Sequence, residues 1–300
     1  MRFATFASVL CAIAMAACQS TPSPTEGVTV KRMKVNDSEL AYVEEGRGVT
    51  VLFVHGAGGD WRTWDGLRRH VAPRYRFVSM SRRYHFPNAW PDDGRNYTFD
   101  QQVEDVAAFI RAMNVGQVHL VGNSYSGRLV GYVALRHPEL LRSVVMGEPS
   151  LAAPTSAEGK AAISRLATDF GLASAAAKAG DDRQATVLTV NAVLDDRDAF
   201  AKLAPAAQQR WLDNAKTMGP MYTGRPPAAV TCEQLKGLKV PALAIRGERT
   251  RDSYRYGHEA LLACLPPSAE AATIAAGTHF WGIDNPDAAS AAILSFVAKH

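Results

Sequence analysis

The sequence predicts an α/β fold, with a mostly parallel central sheet, helices on both faces and an inserted helical lid. Up to Glu148, short apolar runs alternate with segments of helical periodicity, as is typical of strand–helix units in a parallel sheet. Residues 150–235 are then alanine-rich and helical with no convincing strand, and the strand–helix rhythm resumes at Val240. We therefore divide this part of the chain into an α/β core, residues 28–149 and 236–300, and a lid, residues 150–235.

The core begins with a predicted β-hairpin. Two alternating runs, Val28–Val35 and Glu39–Val43, are joined by Asn36-Asp37, residue types that favour tight turns. Val49–Val54 is almost continuously apolar, as expected of a strand buried on both faces. Further short strands are predicted at Arg76–Met80, Gln117–Val121, Arg142–Met146 and Val240–Ile245, with a last apolar stretch at Ala271–Ala275.

Helices are predicted between these strands. Thr98 to Gln101 form a capping box, and apolar residues follow it at helical spacing. Ser126–Arg136 is a second helix, which Pro138 stops, and Gly127 and Gly131 give it a flat face for close packing on a sheet. Two more helices are predicted near Tyr254–Cys264 and from Asp287 to Ala298.

Composition and charge exclude some classes of protein. With 47% hydrophobic and 21% charged residues, the 300-residue chain has the composition of an ordinary globular protein with a sizeable core. Its formal net charge is +4 and its arginines are scattered, so we expect no nucleic-acid partner. A small-molecule substrate is the expected partner, and the sequence indicates no particular oligomeric state.

The N-terminus has the pattern of an export signal. An apolar, uncharged run from Phe3 to Ala17 follows Arg2, and residues 18–27 then form a Pro/Ser/Thr-rich tether. The ending Met15-Ala16-Ala17-Cys18 resembles the lipobox of bacterial lipoproteins, which implies removal of residues 1–17 and a lipid anchor on Cys18. Gln19 beside it suits the outer membrane, with the protein facing the periplasm. A plain signal peptide is the alternative.

Two cysteines are left for the exported protein. Cys11 belongs to the predicted signal peptide and Cys18 to the predicted lipid anchor, so Cys232 and Cys264 remain. In an oxidising compartment they can form a disulfide that persists. Two buried free thiols are an equally acceptable reading of the sequence.

The strongest chemical signal is Gly122-Asn123-Ser124-Tyr125-Ser126-Gly127, because a predicted strand runs into it and a helix follows directly. That context is typical of a nucleophile elbow, in which the serine stands above the sheet edge on a sharp turn. Ser126 occupies the position of the second glycine in the G-x-S-x-G pattern. Serine is small enough for a site where strand and helix approach closely, so Ser124 is the candidate nucleophile.

A glycine-rich segment, His55-Gly56-Ala57-Gly58-Gly59, follows the strand Val49–Val54. It resembles the oxyanion loop of α/β-hydrolases, and by that resemblance the backbone N–H groups of Ala57 and Tyr125 would form the oxyanion hole. No Lys-Ser or Lys-Thr follows, which argues against a phosphate-binding loop.

His279 is the candidate general base. It lies in Ala275-Ala276-Gly277-Thr278-His279-Phe280-Trp281, a predicted loop between the last strand and the C-terminal helix. This position suits the order nucleophile, acid, base that the chain would then have. The other histidines lie within predicted strands or helices or beside them.

The triad acid has three candidates. In most α/β-hydrolases, which the oxyanion loop resembles, the triad acid is an aspartate that follows the strand after the lid. In this sequence Thr250 stands at that position, with Glu248 and Asp252 nearby. Glu148 ends the strand ahead of the lid, beside a proline and without an obvious structural task. We favour Glu148, then Asp252, then Glu248.

Residues from about Val28 to the C-terminus resemble α/β-hydrolases, and the glutamate ahead of the lid resembles haloalkane dehalogenases and zearalenone lactonases. The resemblance implies the α/β-hydrolase fold, a Ser–His–acid triad and no cofactor. Dehalogenase and epoxide-hydrolase activities would need an aspartate where Ser124 stands. Because no His/Cys cluster has metal-ligand spacing, we expect no metal.

The predicted function is hydrolysis of a carboxylic ester or lactone through an acyl-enzyme on Ser124. Amide or C–C bond cleavage and a non-catalytic binding protein of the same fold are the alternatives. Substrate-binding candidates are an arginine that follows a strand at the same sheet edge and three lid residues with large apolar or aromatic side chains: Arg83, Trp211, Met221 and Tyr222.

Overall fold

Apolar β-strands form the centre of the molecule, which is described here by a computed structural model covering residues 28–300. The predicted signal peptide, Cys18 and the tether lie outside the described residues. Within the described range, eight strands form one sheet: β1 (Lys31–Val35), β2 (Ser38–Glu45), β3 (Thr50–Val54), β4 (Arg76–Met80), β5 (Val118–Asn123), β6 (Leu141–Gly147), β7 (Ala242–Gly247) and β8 (Glu270–Ile274).

The sheet order is β1-β2-β4-β3-β5-β6-β7-β8. β1, β2 and β4 pair antiparallel, whereas β4, β3, β5, β6, β7 and β8 pair parallel. Every residue of β3 is buried, as expected of a central parallel strand covered on both faces. β7 begins two residues later than predicted, after Pro241, which has no N–H to donate to a neighbouring strand.

The α-helices are α1 (Asp65–Val71), α2 (Phe99–Met113), α3 (Tyr125–Arg136), α4 (Ala157–Lys178), α5 (Asp182–Leu194), α6 (Ala199–Lys202), α7 (Pro205–Asp213), α8 (Met218–Thr223), α9 (Cys232–Lys236), α10 (Asp252–Cys264), α11 (Trp281–Asp284) and α12 (Pro286–Val297). Side chains of α2, α3 and α10 pack on one face of the sheet, and those of α1 and α12 pack on the other. The predicted mostly parallel sheet with helices on both faces is confirmed.

Helices α4–α9 fill the chain between β6 and β7, and no strand is assigned to residues 150–235. They have an apolar cluster of their own, which includes Phe200, Trp211 and Met218. Cys232, at the start of α9, forms a disulfide with Cys264, at the end of α10, with their Cα atoms 4.8 Å apart. The bridge ties the end of the helical segment to the core. Among residues 28–300, no helix is long and apolar enough to cross a membrane.

Candidate active site

The loops that carry the candidate residues meet at one edge of the sheet. Parallel strands β3, β5, β6, β7 and β8 all end there, and each is followed by a loop or turn. This edge is where open α/β sheets commonly bind ligands. The chain therefore brings together residues that are far apart in the sequence.

Ser124 lies in a strained turn between β5 and α3. Its backbone has φ 60° and ψ −122°, a conformation that side chains other than glycine rarely adopt. The Ser124 N–H donates to the Gly147 carbonyl at 2.8 Å, which links the turn to the end of β6. A strained strand-to-helix turn that exposes a serine is the geometry of a nucleophile elbow.

Packing around the elbow explains its small residues. A Cβ on Gly122 or Gly127 would lie 2.4 Å from a backbone oxygen, so neither position accepts a side chain without movement. Ser126 is fully buried, and its hydroxyl donates to the Val54 carbonyl at 2.6 Å and accepts from the Asn123 N–H at 3.0 Å. The serine in the second glycine position therefore joins β3 to the elbow.

His279 follows β8 and is buried at the same sheet edge. Its Nδ1–H donates to Glu148 Oε2, and its Nε2 has no hydrogen-bond partner among the described residues. Tyr254 of α10 stacks on the imidazole, with ring centroids 3.9 Å apart and planes inclined by 21°. One ring nitrogen is thus held by a carboxylate, while the other is left for a reacting group.

Glu148 follows β6 directly and adopts a positive φ of 40°. Its side chain has no exposed surface. The Gly247 N–H donates to Oε1 at 2.8 Å, and the Thr250 hydroxyl donates to Oε2 at 2.9 Å. Together with His279, these donors supply the hydrogen bonds that a buried carboxylate needs.

The other two candidate acids do not contact His279. Asp252 begins α10, and its carboxylate, 59% exposed, pairs with Arg255 at 2.9 Å. Glu248 is exposed and accepts from the Ala276 N–H at 2.8 Å. Of the three carboxylates considered from the sequence, the structure brings Glu148 to the imidazole.

The His55–Gly59 loop is held in place by hydrogen bonds of the buried His55 side chain. His55 is fully buried, its Nδ1–H donates to the Gly56 carbonyl, and its Nε2 accepts from the Arg82 N–H at 3.0 Å. Burial and the neighbouring guanidinium of Arg82 hold the pKa of His55 well below its usual value, so the ring is neutral. Neither the Ala57 nor the Tyr125 N–H donates to a backbone carbonyl of the described residues, and both residues line the cavity beside Ser124.

A family model described as "Alpha/beta hydrolase family" matches residues 51–292. The chain belongs to the alpha/beta hydrolase family.

Curated relatives of this chain include 2-hydroxy-6-oxo-6-(2'-aminophenyl)hexa-2,4-dienoic acid hydrolase of Metapseudomonas resinovorans. That protein is 34% identical over 115 residues, which are 36% of this chain and 38% of the relative. The match therefore spans less than half of that relative's length.

Solved structures share the hydrolase fold over most of the chain. A membrane phospholipase A described as a bacterial virulence factor has a TM-score of 0.71 at 21% identity and covers 91% of this chain and 86% of its own. A serine hydrolase involved in carbazole degradation has a TM-score of 0.69 at 22% identity and covers 91% of this chain and 100% of its own.

The interpretation of Arg83 as a substrate-binding residue is wrong. Its side chain is 1% exposed and pairs with Asp105 of α2 and, at 2.9 Å, with Asp37 of the β1–β2 turn. It does not line the cavity. Arg83 follows β4, but its guanidinium points into the protein and forms a buried ion pair with Asp105. Only the folded structure brings this partner on α2 close to Arg83.

The three lid residues proposed from the sequence do line the cavity next to Ser124, which has a volume of about 280 Å³. Trp211 also closes over the oxyanion loop, because a Cβ on Gly58 would lie within 2.1 Å of its ring. The Tyr222 hydroxyl bonds Thr189 at 2.7 Å, and burial raises the pKa of Tyr222 to about 12. The lining is largely apolar: Trp64, Phe170, Val193, Trp211, Met221, Tyr222, Tyr254, Phe280 and Ile283 contribute most of it.

Sequence reasoning missed two residues of the candidate site. Asn123 donates to the His279 carbonyl at 2.9 Å and accepts from Trp281 Nε1 at 2.8 Å, so it fixes the loop that carries the imidazole. Tyr254 supports the ring face. Asn123 occupies a variable position of the elbow motif, and Tyr254 lies in a helix without a motif, so neither had a signal in the sequence. Within residues 28–300, no group of three or more His, Cys, Asp or Glu side chains is arranged to hold a metal ion.

Proposed function

We propose that this hydrolase cleaves a carboxylic ester or lactone through an acyl-enzyme on Ser124. The observation that carries the proposal is the arrangement of His279. Its Nδ1 is bound to buried Glu148, and its Nε2 has no partner among the described residues. Ser124 and His279 line the same cavity. A buried carboxylate that orients an imidazole beside a serine is the arrangement by which a Ser–His–acid triad carries out acyl transfer.

The proposed reaction has two halves. Ser124 Oγ attacks the substrate carbonyl while His279 Nε2 takes its proton, and the resulting oxyanion accepts hydrogen bonds from the Ala57 and Tyr125 N–H groups. The tetrahedral intermediate collapses, and His279 returns the proton to the departing alkoxide. Water then attacks the acyl-enzyme by the same route and releases the acid. Glu148 keeps the imidazole oriented and stabilises its charged form.

The cavity supports an ester or lactone over a large polymer, because its walls are mostly apolar side chains and its volume suits a small molecule. One relative is named as the hydrolase of a hexadienoic acid. Cleavage of an amide or of a C–C bond uses the same nucleophile and stays the alternative specificity.

A fluorophosphonate probe distinguishes the enzyme from a non-catalytic binding protein of the same fold. We expect the probe to label the wild-type protein at Ser124 and to leave Ser124→Ala unlabelled. The rate of 4-nitrophenyl ester hydrolysis should fall by on the order of 10⁴ or more in that variant. Ser150→Ala is the matched control, because Ser150 lines the same cavity. Labelling of Ser124→Ala at the wild-type level would assign the nucleophile elsewhere.

We also propose that the protein is a lipoprotein anchored through Cys18, on the sequence pattern of its N-terminus. In cells, Cys18→Ser should release the protein into the aqueous phase of a detergent partition or accumulate it as an unprocessed precursor. Cys11→Ser is the control and should behave like the wild type. If Cys18→Ser protein is processed and partitions like the wild type, the plain signal peptide is the correct alternative.

A further inference from the structure

Two arginines line the cavity beside Ser124, and none of its described lining residues is Asp, Glu or Lys. Arg128 lies on α3, four residues beyond the nucleophile, and Arg210 lies on α7 of the helical segment. The triad carboxylate, Glu148, is behind His279 and has no exposed surface. The charged groups that face the cavity are therefore cationic.

Arg128 has no acidic partner among the described residues. Its guanidinium carbon lies 5.3 Å from the ring centroid of Phe99 and 5.9 Å from that of Tyr132, so aromatic faces support it. Its Nε is buried and makes no hydrogen bond with the described residues. A guanidinium held in place by rings keeps its N–H groups for another acceptor.

The Arg210 side chain also makes no hydrogen bond or ion pair with any described residue. Burial lowers the pKa of Arg210, and the charges of Asp60 and Asp65 act against this from a longer distance. Asp60 is already bound by Arg62, at 2.9 Å and 2.6 Å, and by Asn214 at 2.8 Å. Burial raises the pKa of Asp65 to about 6, and its nearest cation is Arg68, with an N–O distance of 3.6 Å. These two acids offset the charge of Arg210 only in part.

Arginines with deeply buried side chains elsewhere in the described chain have partners. Arg83 binds Asp105, Arg251 binds Asp169 at 2.7 Å, and Arg82 donates to the Gly56 carbonyl at 2.9 Å. A buried charge without a partner is costly, because the protein interior solvates it less well than water does. Arg128 and Arg210 are partly buried and have no such partner at the cavity where a substrate would bind.

We infer that the substrate carries a carboxylate in addition to the carbonyl that Ser124 attacks, and that Arg128 and Arg210 bind this carboxylate. The inference rests on the proposed function. The planar guanidinium fork matches a carboxylate. Because Asp60 and Asp65 lie near Arg210, a monoanion suits the site better than a dianionic phosphate. The apolar walls contact the carbon chain between the two groups.

The test compares two esters with the same six-carbon acyl chain, mono-4-nitrophenyl adipate and 4-nitrophenyl hexanoate. We expect wild-type kcat/KM to be at least tenfold higher for the adipate. Arg128→Met and Arg210→Met should each lower kcat/KM for the adipate by about tenfold, mainly through KM, since each removes a charged hydrogen bond. The hexanoate should change less than about threefold. Arg183→Met, at an exposed arginine of α5, is the control and should keep the preference.

Failure of this inference is distinct from failure of the proposed function. Fluorophosphonate labelling of Ser124 in both variants would show an intact nucleophile, whatever the ester preference. The free hexanoate ion, but not the neutral hexanamide, should protect wild-type Ser124 from the fluorophosphonate probe. This measurement needs no variant. Equal kcat/KM values for the two wild-type reactions, or a preference that survives both substitutions, would overturn the inference while leaving Ser124 as the nucleophile.

Discussion

The ends of β6 and β7 lie side by side in the sheet, yet their carboxylates have opposite environments. Glu148, after β6, is fully buried and accepts hydrogen bonds from Gly247, Thr250 and His279. After β7, Glu248 is exposed and Asp252 is 59% exposed and paired with Arg255. In the first loop the acid is oriented by its surroundings, and in the second the acids are solvated.

The difference shows that residues at both strand ends contribute to orienting His279. Thr250 stands after β7, where an aspartate would be expected, and donates a hydroxyl to the acid after β6. An aspartate there would bring a second negative charge against Glu148, and like charges disfavour each other's ionised form. A hydroxyl instead supports the carboxylate. The position of the acid therefore decides which residue type suits the neighbouring strand end.

The largest expected effect within this comparison is that of Glu148→Gln. The amide keeps the shape of the side chain but removes the charge that stabilises the imidazolium, so kcat should fall by on the order of 10²–10⁴. Hydrolysis of a 4-nitrophenyl ester, together with circular dichroism to check the fold, measures this. Near-normal kcat in a folded Glu148→Gln protein would mean that another carboxylate serves His279.

Thr250→Val should have an intermediate effect. The substitution preserves the volume of the side chain but deletes a hydrogen bond to a charged acceptor, so we expect kcat to fall about tenfold. Thr250→Ser keeps the hydroxyl and should retain most of the activity. A valine variant as active as the serine variant would show that the hydroxyl does not contribute to orienting Glu148.

The smallest effect is expected at the second strand end itself. Asp252→Asn should leave kcat within about twofold of the wild type and lower stability by less than about 1 kcal/mol, because the carboxylate is a solvated first-turn residue of α10. Glu248→Gln should behave similarly in the same assay and in thermal unfolding. A hundredfold loss at Asp252, with Glu148→Gln unaffected, would reverse the roles of the two loops.

Sequence reasoning reached the residues that have a local pattern. The strand before Ser124 and the helix after it were visible in the periodicity, and the places of Glu148 and His279 followed from the order of predicted strands. The contact of Asn123 with His279 and the stacking of Tyr254 were not accessible, because they join segments more than a hundred residues apart or depend on how a helix is rotated. Arg83 was misinterpreted because its acidic partners lie on other elements, Asp105 on α2 and Asp37 in the β1–β2 turn, and only the fold brings them to it.

Ser126 has a consequence for how such proteins are found. A search that requires glycine at every small position of the elbow pattern would miss this chain, because Ser126 occupies one of them. The Ser126 hydroxyl joins β3 to the turn. The positions that leave no space for a Cβ are Gly122 and Gly127, where a backbone oxygen lies 2.4 Å away. A pattern that requires glycine at the positions of Gly122 and Gly127, and admits serine at the position of Ser126, would agree with this packing. Applied to genomes, it would recover relatives that the stricter pattern discards.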